Sequence, residues 1–295
     1  MTQRGWLLFW SLCLVWGIPY LLIRVAVREL DPAVLVFART GLSALLLLPI
    51  AAARGELRPL LAHWRALALF TVIEIGVPWF LLSDAETHLT SSLTGLLIAA
   101  VPLVGVVVVR FTGDRERVGG RRLTGLLVGI AGVAALVGLD VGRLNAVALV
   151  EVGLVAVGYA LGPIVLSRHL ADAPSLGVVA ASLALCAVGW APVAATQWPS
   201  SIPSGRVLAS VAGLAVVCTA LAFLLFFALI AEVGAVRSMV ITYVNPAVAA
   251  VLGVALLGEA FTPGMAVGFA LVLAGCVLAT RREAPPVLAC ETAAA

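Results

Sequence analysis

The feature that most constrains this chain is its punctuation. Ten apolar runs follow one another, each separated from the next by arginines, acidic residues, prolines or glycines. They lie near 5–27, 32–53, 65–83, 90–111, 122–140, 146–167, 175–196, 206–231, 235–257 and 262–280. A bilayer core about 30 Å thick asks for about 20 mostly apolar residues per helix. Lipid offers the backbone no water to bond, so runs of this length must be helical. Of 295 residues, 63% are hydrophobic and only 11% charged, against roughly a quarter charged in a soluble domain. No single globular core could hide that much apolar surface. The expected fold class is an all-α integral membrane protein with ten transmembrane helices, and its first partner is the lipid bilayer. The opening run, "WLLFWSLCLVWGIPYLLIRVAV", is too long and too aromatic for a signal peptide and reads as a retained span.

The charges orient the spans. All eighteen basic residues are arginines. With a cytoplasmic N-terminus, 13 of them fall inside: Arg4, Arg54, Arg58, Arg65, Arg110, Arg115, Arg117, Arg121, Arg122, Arg168, Arg237, Arg281 and Arg282. Only Arg24, Arg28, Arg143 and Arg206 fall outside, and Arg39 lies within a span. That asymmetry satisfies the positive-inside rule. It places the chain in the cytoplasmic (inner or plasma) membrane with both termini inside. The arginines sit in loops and form no stripe, so nucleic acid is not an expected partner. Cys13, Cys186, Cys218 and Cys276 lie inside apolar runs, and with Cys290 they show no close spacing. Neither a metal site, a disulfide framework nor a cofactor is indicated.

The two halves match weakly but in order. Pro102 in "LLIAAVPLVGVVVV" and Pro246 in "MVITYVNPAVAAVL" are 144 positions apart. Each is followed by a glutamate at a helix junction, Glu116 or Glu259, and then by "GLLVGIAG" or "GFALVLAG". Earlier, "GIPYLLIR" pairs with "GPIVLSR". Five spans per half is an odd number, so the second half enters from the opposite side and the repeat is inverted. Secondary transporters recur in this architecture, with the substrate site near the midplane between repeats. The expected organisation is 1–140 for the first five-helix repeat, 141–282 for the second, and a disordered tail over 283–295.

Several stretches also carry a family resemblance: Trp16-Gly17, "DPAVLVFAR" from Asp31 to Arg39, "SSLTGLLIAAVPLV", and "YVNPAVAAVLGVALLGEAFTPGMAVGFALVLAG". They resemble the two five-helix modules of the EamA family, within the drug/metabolite transporter superfamily. The likeness covers nearly the whole chain. It departs where the family's usual "lgE" reads "GDRER" and where the aromatic-glycine opening of the second half reads "GYALG". The resemblance implies a ten-helix carrier of small metabolites or drugs, often an exporter, without an ATPase of its own.

The candidate site follows from weakened helices. Proline inside a helix removes one hydrogen bond and frees the carbonyl four residues earlier. Pro78 is expected to free Glu74, Pro102 Ile98, Pro163 Tyr159 and Pro246 Thr242, the last inside "TYVNP" with Tyr243 and Asn245. Spans three, six and nine would then turn opened backbone and polar groups toward one cavity. Glu74 lies about nine residues, or roughly 13 Å, from either end of its span. A carboxylate that deep is protonated, paired or facing water, and intramembrane ionisable residues are functional candidates. Arg39, at similar depth in span two, is its nearest candidate partner. The residues leave open whether Glu74 binds a proton, a substrate or only Arg39.

Trp16, Trp79 and Tyr159 fall within spans, and Trp16 and Tyr159 are deep enough to line a cavity. Glu151 is expected at the outer edge of span six, facing interfacial water. Asp84, Glu86 and His88 are expected in a solvated outer loop, "SDAETH". Glu116 and Glu259 are expected to cap the helices that follow them. "GLLVG" and "GMAVG" are small-xxx-small faces suited to close packing within a protomer or in a homodimer.

These features favour a secondary transporter of a small molecule working by alternating access. No Walker-type phosphate loop is present, so gradients or exchange would drive it. An intramembrane enzyme would need nucleophiles, His/Asp clusters or acidic metal motifs at membrane depth. No histidine lies inside a span, and no acidic pair occurs mid-helix. A receptor or scaffold fits ten spans and an inverted repeat less well.

Overall fold

Capping residues start the helices close to where the punctuation places them. The computed structural model describes residues 2–111, 120–138 and 145–280. The helices are α1 (Gln3–Ala26), α2 (Pro32–Ala53), α3 (Arg58–His88), α4 (Ser91–Val109), α5 (Gly120–Val137), α6 (Ala146–His169), α7 (Ser175–Thr196), α8 (Gly205–Val233), α9 (Ile241–Leu257) and α10 (Pro263–Thr280). Among the described residues, nine are long and apolar enough to cross a membrane, and α9 is shorter at 17 residues. Asp31 caps α2 by accepting from Ala33 N at 3.0 Å, with Pro32 in the first turn where its missing N–H is harmless. Thr2, Thr90, Asn145 and Ser204 cap α1, α4, α6 and α8 in the same way. The span expected from residue 235 is split. Gly234 (φ 83) ends α8, a short turn covers Ala235–Ser238, and α9 begins at Ile241.

The packing has a two-fold pattern. α5 lies along α10, α2 along α7 and α4 along α9. The α3–α6 contact is matched by α8–α1, α2–α8 by α7–α3, and α4–α6 by α9–α1. Each contact recurs when a helix is exchanged for the one five places away. Two five-helix repeats related by a two-fold give this pattern, and with an odd number of spans in each repeat the pair is inverted.

Glycine lets α5 and α10 approach closely. A Cβ on Gly125 would fall 2.5 Å from Ala279 N, on Gly132 2.6 Å from Val272 N, and on Gly275 2.5 Å from Gly129 N. Gly264 and Gly268 face Ala135 and Leu136 in the same seam. Both small-xxx-small faces are therefore filled from within the chain. A homodimer through them would require α5 and α10 to part.

Four local expectations change. First, "SDAETH" is no loop: α3 continues to His88, and packing of its last turns leaves Glu86 with 0% exposure. Second, Glu151 is buried on α6, within electrostatic reach of Asp84, because the extended α3 covers it. Third, Glu259 caps α4 from the other repeat and leaves α10 to Thr262. Its carboxylate accepts from Ser91 N (2.8 Å), Ser91 Oγ (3.0 Å), Ser92 N (2.8 Å) and Ser92 Oγ (2.5 Å). Thr262 Oγ1 accepts from Met265 N at 3.2 Å. The matching expectation for Glu116, and the tail 283–295, lie outside the described residues. Fourth, α6 runs unbroken through Pro163 and α9 through Pro246, each losing one hydrogen bond while neighbouring turns hold.

Replacing Glu259 by alanine is expected to leave two N–H groups and the buried Ser91 hydroxyl short of their acceptor, with Ser92 Oγ left to Ala250 O at 3.3 Å. The loss is about 2 kcal/mol. A lowered thermal midpoint of the purified protein, with Glu259→Gln retaining part of the stability, is the check. At the same end Glu29 accepts from Ser204 N at 2.7 Å, which holds its carboxyl below the usual range. That link between the α1–α2 turn and α8 is present at neutral pH. It is lost only as pH falls through the lowered carboxyl value.

Candidate functional site

Two helices at the centre of the bundle are locally widened. In α3, Thr71–Gly76 forms a π segment just before Pro78, and Val77 N reaches back five residues to Val72 O. In α8, the helix five places on, Gly213–Leu221 is also a π segment, and Thr219 Oγ1 donates to Leu214 O at 2.8 Å. Such segments open the backbone ladder and occur frequently at functional sites. In α3 the trigger is visible, since Pro78 cannot donate. In α8 there is no proline, and the opening comes without a sequence signal.

The α3 segment sits on glycine. A Cβ at Gly158 would fall 2.5 Å from Ile73 O, and one at Gly162 would overlap the Glu74 carboxylate. The "GYALG" stretch of α6, Gly158 to Gly162, is thus a small-xxx-small face that seats the widened turn. Trp190 of α7 stacks on Phe80 at 4.4 Å and donates its indole N–H to Gly76 O at 3.1 Å. This satisfies a carbonyl beside the widened turn. Glu74 Oε2 is buried there without a hydrogen-bond partner.

Arg39 occupies the space between α2, α3 and α8. Its side chain is buried, Nε donates to Thr219 Oγ1 at 3.0 Å, and the guanidinium carbon lies 3.7 Å from the centroid of the Trp79 ring. Ser43, one turn on, reaches Arg39 O (2.7 Å) and Ala215 O (2.9 Å), pinning α2 to the widened part of α8. Among the described residues the Glu74–Arg39 bridge does not form. Tyr159 of α6 lies within electrostatic reach of both Glu74 and Arg39, and packs against the cluster containing Trp79. Tyr20 of α1 is buried within the same reach of Arg39 and Tyr159.

The structure therefore gathers Glu74, Arg39, Trp79 and Tyr159 and adds Tyr20 and Thr219. The other candidates lie elsewhere. Trp16 packs on Phe226 (4.9 Å) and Phe223 (5.8 Å) of α8, and Phe223 connects it to the cluster around Trp79. Asn245, with its amide nitrogen facing two carbonyls, donates to Ile241 O (3.0 Å) and to Cys13 O of α1 (3.2 Å). It fastens α9 to α1 where Gly17 admits Val248. Tyr243 turns to Thr280 of α10, 3.5 Å away. Pro102 follows a break at Ala99–Ala100, where Cys276 of α10 donates to Ala99 O at 3.4 Å. Thr219 could not be singled out from sequence, since one threonine in an apolar run carries no mark of its partner. The glycine spacing in "GYALG" is the available signal for the seat under Glu74.

Arg39 uses one of its five N–H donors on Thr219, and no carboxylate pairs with it among the described residues. Across Tyr159 stands a carboxyl with an unpartnered oxygen. No group of three His, Cys, Asp or Glu side chains among the described residues could hold a metal ion.

The model of the EamA-like transporter family matches residues 3–138 and again 148–281. The chain belongs to the EamA-like transporter family. An uncharacterized inner membrane transporter of Escherichia coli K12, YedA, is 26% identical over 277 residues, covering 92% of this chain and 88% of that protein. An uncharacterized transporter of Bacillus subtilis 168, YvbV, is 25% identical over 291 residues, covering 95% and 93%. A solved structure described only as a crystal structure of a protein superposes with a TM-score of 0.66 at 21% identity, over 95% of this chain and 97% of that one. It speaks for the fold alone. For this EamA-like chain, family, fold and apolar helices together establish a multi-pass membrane transporter.

Proposed function

We propose that this EamA-like protein is a secondary transporter of a small metabolite or drug-like compound bearing an anionic or zwitterionic group. The observation that carries the reading is the buried Arg39. It is held by a hydroxyl and an indole face between two widened helices, and among the described residues no acidic side chain pairs with it. A substrate carboxylate or similar anion supplies the missing partner, using the donors left by the Thr219 bond. Trp79, Tyr159 and Tyr20 supply walls for its apolar body. Glu74, opposite Tyr159, takes a proton or the substrate's cationic group, so that emptying the site and releasing the proton are linked. Alternating access follows from two inverted halves rocking about α3 and α8, whose opened turns are the compliant points. The arginine distribution supports cytoplasmic termini, and the direction we assign is export from the cell across the cytoplasmic membrane. Driving energy comes from an ion gradient or from exchange, and no enzymatic step is assigned.

The test starts with a thermal-shift screen of amino acids, carboxylates, amines and aromatic amphiphiles on purified protein. Wild type, Glu74→Gln and Arg39→Ala are run side by side. Compounds that stabilise wild type are expected to lose their effect in Arg39→Ala. In proteoliposomes, Glu74→Gln is expected to flatten the pH dependence of flux. Unchanged flux and unchanged pH dependence in Glu74→Gln would remove Glu74 from the coupling role.

A further inference from the structure

A second buried acid lies beyond the central site, about three turns along α3 from Glu74 and within electrostatic reach of Tyr20 and Arg39. Glu86, in the last turn of α3, has 0% exposure, and among the described residues neither carboxylate oxygen has a hydrogen-bond partner. A fully ionised carboxylate in that state would be heavily penalised. The groups facing it explain how the position is tolerated. From the connection after α9, Glu259 stands within electrostatic reach, its charge fixed by four hydrogen bonds from Ser91 and Ser92. From α1 come Arg24 and Tyr20, and from α2, deeper in the bundle, Arg39. On α3 itself, Asp84 turns to Glu151 of α6, and His88 ends the helix. Two carboxylates share this corner: one fully hydrogen-bonded, the other with no hydrogen-bond partner.

Arg24 lies within electrostatic reach of Glu86, yet among the described residues it forms no ion pair with the carboxylate. Its Nη1 donates to the main-chain carbonyls of Glu86 and of Thr87, the latter at 3.1 Å. The cation thus caps the C-terminal end of α3, where helix carbonyls and the helix dipole attract it. A charged carboxylate beside it would compete for the same guanidinium, because charge-assisted pairs are stronger than bonds to neutral carbonyls.

We propose that Glu86 is a proton-binding site at the α3–α4 end of the bundle, and that its proton decides where Arg24 sits. With the proton on Glu86, Arg24 caps α3 through the two carbonyls. When the proton passes to water at that end, the carboxylate draws Arg24 off the carbonyls and uncaps the last turn of α3. The packing of α1 on α3 at this end then loosens. The site is separate from Glu74, and it requires only that the chain spans a membrane, not that the central site binds an anion.

The test is infrared spectroscopy of the purified protein in liposomes, following the carbonyl band of protonated carboxyl groups as pH is raised. Working in a Glu74→Gln background removes the central carboxyl from the signal. A band at neutral pH in E74Q that is lost in E74Q/E86Q is expected. It should be retained, with a shifted frequency, in E74Q/E86D. In E74Q/R24Q the band should survive to higher pH by about one unit or more, because the cation waiting for the carboxylate is gone. Identical spectra for E74Q and E74Q/E86Q would overturn the proton site. So would loss of the band when sodium chloride replaces choline chloride, which would make Glu86 a sodium ligand. An unaltered titration in E74Q/R24Q would overturn the role of Arg24. If the Gln variant at Glu86 does not fold, the Asp and R24Q variants still decide the question. Because no substrate flux enters the measurement, its failure is distinguishable from failure of the transport reading.

Discussion

Arg39→Ala is expected to reduce substrate flux by about 100-fold, the equivalent of about 3 kcal/mol for a charge-assisted hydrogen bond to substrate in a buried site. The reason is local. Arg39 is a buried cation that pairs with no carboxylate among the described residues, held by Thr219 and the face of Trp79. The fold should survive the change. Thr219 keeps its bond to Leu214 O, and Ser43 keeps Ala215 O, so α2 and α8 remain joined. Arg39→Lys retains the charge but loses the planar stacking on Trp79 and the Nε bond. It should recover only part of the flux, about one tenth of wild type. Radiotracer uptake into proteoliposomes, together with a thermal midpoint for each variant, separates loss of binding from loss of folding.

Gly162→Val is expected to destabilise the protein by about 3 kcal/mol, at the upper end of what overpacking ordinarily does. Its side chain would occupy the place of the Glu74 carboxylate, and the π segment of α3 could remain on α6 only by moving. Loss of monodisperse protein on size exclusion, or a thermal midpoint lowered by several degrees, is the expected reading. The pair should also be strongly non-additive. Gly162→Ala alone should destabilise, and Glu74→Ala should relieve much of that loss by vacating the space. Additive effects in the double variant would mean that the two residues do not share that volume.

The sequence shows different parts of this molecule with different clarity. α2 and α7 begin and end where the apolar runs do, because polarity changes abruptly there: Asp31 caps α2, and Glu56 accepts from Gly177 N at 2.9 Å in the first turn of α7, which follows Pro174. The inverted arrangement is legible because five is odd and the glycine patterns recur. The end of α3 is not, because Asp84 and Glu86 look like solvent-facing residues until α1, α4 and α6 close around them, while His88 does stay exposed. Burial of a charged residue is a property of neighbours distant in sequence. The same holds for Glu259, whose partners Ser91 and Ser92 belong to the other repeat. Proline is an incomplete guide to opened backbone. It marks the π segment of α3, but α8 opens without one, and α6 and α9 pass through Pro163 and Pro246 as continuous helices. Of the central site, Glu74, Arg39, Trp79 and Tyr159 are recognisable as polar or aromatic groups at membrane depth. Thr219 and the glycine seat emerge only from packing.

The most direct measurement is flux, in ATP-free proteoliposomes, of a compound that stabilises the wild-type protein in the thermal screen. It should be followed across a range of pH for wild type, Arg39→Ala and Glu74→Gln. The expected result is saturable flux for wild type, a fall of about 100-fold for Arg39→Ala, and a flattened pH profile for Glu74→Gln. Wild-type rates and an unchanged pH profile in both variants would contradict a transport site built on Arg39 and Glu74.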